Sequence, residues 1–174
     1  EFGRPMPSAQ PLQAAAGVVA WRMSPLAARV GVLSARDAET LCELYIGCMR
    51  VFGESGYPGR ALAAVLQLAA TRRQLPPCRT GVHAELVIAF IVSTLGLDPL
   101  WRKGFARAQQ LARDIGDPVA QTLCHQVLHI IAAWRGDFLE AEREALQCVV
   151  ERGHFMEQGE LCSVCFNMYS IETV

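Results

Sequence analysis

Four side chains in the last third of the sequence have metal-ligand spacing. His125 and His129 are four apart and share a face if helical, and Cys162 and Cys165 have the Cys-x-x-Cys spacing of a zinc knuckle. Cys124 adjoins the first pair. One reading is a metal site between two helices. The other makes the cysteines packing residues of a helix–helix seam and the histidines the edge of a groove. Structural zinc thiolates usually sit on turns, where ligands can converge. On one helix Cys162 and Cys165 point roughly 60° apart, which favours the second reading and predicts no metal. Carboxylates cluster as Glu140, Glu142 and Glu144 around Arg143. Acid–base work needs two carboxylates across a pocket, and this run reads instead as a solvated helix face. The sequence has no phosphate-cradling Gly-x-x-x-x-Gly-Lys-Ser/Thr loop, no His-Glu-x-x-His and no Gly-x-Ser-x-Gly elbow. These readings predict a protein that is not an enzyme and needs no cofactor.

The elements that must carry these residues follow from composition and punctuation. Hydrophobic residues make up 52% of the 174 residues and charged residues 19%, with a mean hydropathy of +0.22. That excludes a disordered chain and fits a largely buried helical one. Lys plus Arg is 16 against 17 Asp plus Glu, so the basic surplus that a general nucleic-acid binder needs is missing. Seven cysteines, an odd number at irregular spacing, suit a reduced, cytoplasmic chain. Residues 12–33 are apolar but carry Arg22 and Arg29, and the apolar run at 86–92 is too short to span a bilayer, so no membrane segment is expected. The opening Glu1-Phe2 matches what a common cloning site encodes, so the chain reads as an excised fragment. Pro5, Pro7 and Pro11 make residues 1–11 a poorly ordered lead-in, and residues 12–33 read as two short capping helices.

From Ser34 onward the helix signals become regular. Ser34 with Asp37 predicts an N-cap for a helix over 36–53, whose apolar positions are Leu41, Leu44, Tyr45, Cys48, Met49 and Phe52. A second helix covers 59–73, with Ala61, Leu62, Val65, Leu66 and Ala69 on one side, and Pro76-Pro77 end it. Thr80 is the expected cap of a third helix over 81–95. Asp98-Pro99 and Asp117-Pro118 each read as an N-cap with proline in the first turn, opening helices over 98–115 and 118–135. Gly136-Asp137 separates the latter from a helix over 138–152, and a last helix covers 155–172. No stretch alternates as a half-buried strand does, so the fold class is all-α.

Gly56, Gly96 and Gly136 are spaced by 40 residues each, and Ala61, Trp101 and Ala141 follow them at the same distance. A period of this size in a helical chain predicts stacked helical hairpins, because one hairpin cannot bury its apolar face alone. About three and a half antiparallel hairpins are expected over residues 34–174.

The segment running from Trp134 to Leu146, with Gly136, Phe138, Ala141, Ala145 and Leu146 in place, resembles the turn and second helix of a tetratricopeptide repeat. Gly56-Tyr57 with Ala61-Leu62, and Gly96 with Phe105 and Ala108, resemble it more loosely. The repeat length of 40 departs from the usual 34, and the closing proline is absent. The run from Ala108 to Pro118, taken with Trp134-Arg-Gly-Asp-Phe138, is similar to the repeat region of large bacterial signalling ATPases and kinases. The resemblance implies an α-solenoid that grips a protein or peptide, or a regulatory linker within such a parent. First helices of such repeats line a concave groove, which here assigns partner binding to Glu43, Arg50, His83, Gln126 and Trp134. The unpaired helix over 155–172 implies homo-oligomerisation through that end, or capping by residues 12–33.

Overall fold

A computed structural model describes residues 33–155 together with Val164 and Cys165. The expected lead-in at 1–11, all but the last residue of the capping segment at 12–33 and nearly all of the helix over 155–172 lie outside the described residues. Within them the chain is helical, with six α-helices and no strand. These are α1 (Ala35–Glu54), α2 (Pro58–Thr71), α3 (Arg79–Thr94), α4 (Asp98–Ile115), α5 (Pro118–Trp134) and α6 (Phe138–Leu146). A 3₁₀ turn at Arg72–Gln74 extends α2, and a π turn at Gln147–Glu151 extends α6. Helix α6 is therefore a nine-residue α-helix with a widened tail, where the sequence predicts one helix to 152.

Local chemistry explains most of the boundaries. The hydroxyl of Ser34 accepts from the Asp37 N–H at 3.2 Å and donates to its carboxylate, as the cap reading predicts. Asp117 caps α5 by accepting from the N–H groups of Val119 and Ala120, and Asp137 caps α6 by accepting from Glu140. Two caps differ from expectation. Helix α3 starts at Arg79 after Cys78, so Thr80 is a buried residue of its first turn rather than its cap. Helix α4 starts at Asp98 after Leu97, one residue early, and no side chain caps it. The Asp98 carboxylate is drawn instead to Arg135, 2.6 and 2.7 Å away, and to the Trp101 indole N–H at 3.1 Å.

One turn is built three times. Gly56, Gly96 and Gly136 have φ of +75°, +72° and +77°. The N–H of each glycine donates three residues back, at 3.2, 3.0 and 3.1 Å, and the N–H of the next residue donates five residues back, at 2.8, 3.3 and 3.0 Å. That bond pair is the Schellman termination, which needs a left-handed residue that glycine adopts without penalty. The following residue takes nearly the same backbone in all three copies, with φ/ψ of −105°/67° at Tyr57, −90°/65° at Leu97 and −86°/74° at Asp137. Its carbonyl accepts from Ala61, Trp101 and Ala141 respectively, all of them buried. The 40-residue period is thus a period of backbone geometry, joining α1 to α2, α3 to α4 and α5 to α6.

The chain divides into two compact units after Leu75, next to the Pro76-Pro77 stop. In the first, α1 packs against α2 and its 3₁₀ extension. The buried positions are Ala38, Cys42 and Ile46 on α1 and Ala61, Ala64, Val65 and Leu68 on α2. Leu44, expected inside, is 56% exposed, and Leu62, Leu66 and Ala69 are half-buried. Apolar residues cover most of both helices, so the sequence leaves the face undecided and the partner helix chooses it.

In the second unit α3 packs on α4, α5 on α6, and α5 on both α3 and α4. Its core joins Val82, Leu86 and Ala89 to Trp101, Phe105 and Ala108 and to Leu123, Cys124 and Ile131. Beyond α6, Val164 packs with Ala145 and Cys148.

Candidate functional site

The histidine pair sits in the seam between α5 and α6. His129 is fully buried, and its Nδ1 lies 2.8 Å from the carbonyl oxygen of Ala141. A carbonyl can only accept, so Nδ1 carries the proton. Its Nε2 is buried with no hydrogen-bond partner. One turn away, His125 places Nδ1 2.7 Å from Glu144 Oε2. The other oxygen of that carboxylate accepts from Arg143, at 3.1 and 3.3 Å, and Arg143 also reaches Glu140. Hydrogen bonding to Glu144, more than any other contact, holds the Arg143 guanidinium more firmly protonated than usual.

The arrangement corrects one expectation. Glu144 is buried, and only Glu142 and Glu140 of that run face outward to any extent. The physical reason is helical phase: Ala141, Glu144, Ala145 and Cys148 form one inward face three and four residues apart. Sequence reasoning missed the α5–α6 pair because its members are 19 residues apart in the chain.

The two histidines turn Nδ1 to different partners, Glu144 and the Ala141 carbonyl. Among the described residues no group of three or more His, Cys, Asp or Glu is placed to hold a metal ion. Cys162 lies outside the described residues, and Cys165 is exposed. Cys42, Cys124 and Cys148 are buried in the helix seams, and the Cys148 thiol donates to the Thr122 carbonyl at 3.8 Å. Burial pushes the Cys124 thiol up from 9.0 to about 11, so it is not a nucleophile near neutral pH.

The five groove positions fall on three helices in two units. Glu43 and Arg50 are both exposed on α1, two turns apart on one side. His83 on α3 and Gln126 on α5 are half-buried on neighbouring helices. Trp134, the last residue of α5, is 73% exposed, with its ring edge-on to Phe90 at 6.0 Å.

Near the Gly96 and Gly136 turns the structure exposes apolar residues, most of which the sequence reading did not single out. Leu95, Leu97 and Leu100 flank the Gly96 turn, Phe138 and Leu139 flank the Gly136 turn, and all five are exposed. The two-pronged Asp98–Arg135 ion pair joins these turns, and the Arg135 and Arg102 guanidinium groups lie over the Trp101 ring. Arg135 holds the Asp98 carboxyl below the usual carboxylate range, chiefly through its hydrogen bonds. At the start of the same helices, Arg79 bonds Asp117 at 2.7 Å. Burial raises the Asp117 pKa, but the Arg79 bond and the Ala120 and Val119 amides outweigh it and leave the net value lowered. The signal for this apolar set was in the sequence. Leucines, phenylalanine and tryptophan directly beside turn glycines must ride on a surface turn.

None of the described helices is long and apolar enough to cross a membrane. Comparison with family models, with curated proteins and with solved structures finds no match to this chain.

Proposed function

We propose that the chain is a non-catalytic interaction module whose helical hairpins stack in the manner of tetratricopeptide repeats and dock a protein or peptide. The observation that carries this reading is the set of exposed apolar residues, Trp134 among them, at the Gly96 and Gly136 turns that the Asp98–Arg135 ion pair joins. Six large apolar side chains held open on rigid turns are a surface that water disfavours and a partner can cover. Tryptophan is among the residue types enriched where binding energy concentrates in such contacts. The threefold repetition of one turn supports the stacked-hairpin part of the proposal. Of the five groove positions the reading uses His83, Gln126 and Trp134, which share one unit.

The test compares wild-type protein with Trp134→Ala and Leu139→Ser in cross-linked capture followed by mass spectrometry. A defined partner captured by wild type and lost by both variants, with unchanged helical circular dichroism, is the expected result. Leu139→Ser removes only exposed surface and Trp134→Ala removes in addition the edge contact with Phe90, so the fold should hold in both. Equal capture by all three proteins overturns the assignment of this surface.

A further inference from the structure

We propose that the outward face of α1 is a self-association surface, on which two copies of this chain pair their α1 helices antiparallel with Leu44 of each seated over Gly47 of the other. Thr40, Leu44, Gly47 and Val51 are all exposed and follow one another at intervals of four, three and four. That spacing forms the seam of a paired helix. Leu44 is 56% and Val51 58% exposed, so the seam carries two large apolar side chains that the hairpin itself does not use.

Gly47 sits between them, at mid-helix, where only proline is a less favourable residue. A Cβ at that position would meet nothing within 4 Å, so no packing inside the chain requires its absence. The missing side chain instead leaves a notch beside Leu44, and a notch three residues from an exposed knob is complementary to itself under a two-fold axis.

The flanking charges select the same arrangement. Glu43 and Arg50 are exposed, seven residues apart, on one edge of the seam. With Leu44 opposite Gly47 of the second copy, Thr40 lies opposite Val51, and each Glu43 lies beside the Arg50 of the other molecule. A parallel pairing would put the Glu43 and Arg50 of one copy on the opposite side of the seam from those of the other, and so would lack this ion pair. Glu43 already takes part in an interaction within the chain, and a carboxylate has acceptor sites for a second donor. One helix from each copy buries less than a standard interface, so the association is expected on the order of 100 μM.

Sedimentation equilibrium of the 174-residue chain tests this, with Arg50→Glu, Glu43→Arg, the double exchange Glu43→Arg/Arg50→Glu, and Gly47→Leu. Each single charge reversal is expected to weaken the dimer about tenfold, and the double exchange to restore it. Gly47→Leu is expected to abolish it while raising the melting temperature, because a strong helix former replaces glycine; loss of the dimer then cannot reflect unfolding. A wild-type monomer up to millimolar concentration overturns the proposal. So does a dimer indifferent to all four variants, or one that the double exchange fails to restore.

Discussion

Glu144 shows how a single residue's role depends on what the neighbouring helix brings. In the sequence it is one of four carboxylates within twelve residues, with nothing to mark it out. In the structure it is buried, with His125 on one oxygen and Arg143 on the other. Removing it takes the partner from half-buried His125 and leaves a gap in the seam, while exposed Arg143 keeps Glu140, so Glu144→Ala is expected to lower stability by about 1–3 kcal/mol. Glu142→Ala, one exposed step away, should change it by no more than about 0.5 kcal/mol. Urea unfolding followed by circular dichroism separates the two. The inward phase at 141, 144, 145 and 148 could be read from the alanines and the cysteine. The partner on α5 could not, because a contact across 19 residues leaves no local trace.

At the scale of the element, the most legible feature is also the most repeated one. Three glycines at equal spacing announce three turns, and the structure builds all three with the same left-handed residue and the same bonds. A Cβ at Gly56, Gly96 or Gly136 would meet no neighbour within 4 Å. The penalty for alanine is then the backbone's alone. Gly96→Ala and Gly136→Ala are each expected to cost about 1–2 kcal/mol, nearly equal to one another, in thermal unfolding. A large inequality would mean that one turn is held by contacts the other lacks. Helix faces were less legible than helix ends. Cap chemistry is local, whereas α1 carries apolar residues on several sides and only packing against α2 decides that Ala38, Cys42 and Ile46 go inside and Leu44 stays out.

For the molecule as a whole, ion pairs at both ends of the second unit tie its hairpins together. Arg79–Asp117 joins the starts of α3 and α5, and Asp98–Arg135 joins the two turns. Both aspartates have lowered pKa values in the fold, so their contribution is present above the unfolded value near 3.9 and is lost as pH falls through the folded values. Stability is therefore expected to decline below about pH 4, and Asp98→Asn combined with Asp117→Asn should flatten that decline in melting curves taken from pH 7 to pH 3. Both pairs are solvent-exposed in part, and added salt should weaken them. The amino-acid order by itself determined an all-helical chain, where most helices begin and end, and the spacing of its turns, since capping, glycine backbone freedom and helical period act within a few residues. Only the tertiary structure decided which faces are buried, that Glu144 lies inside beside His125, and that Asp98 and Arg135 join two distant turns that each carry exposed apolar residues, because those outcomes depend on groups brought together from tens of residues apart.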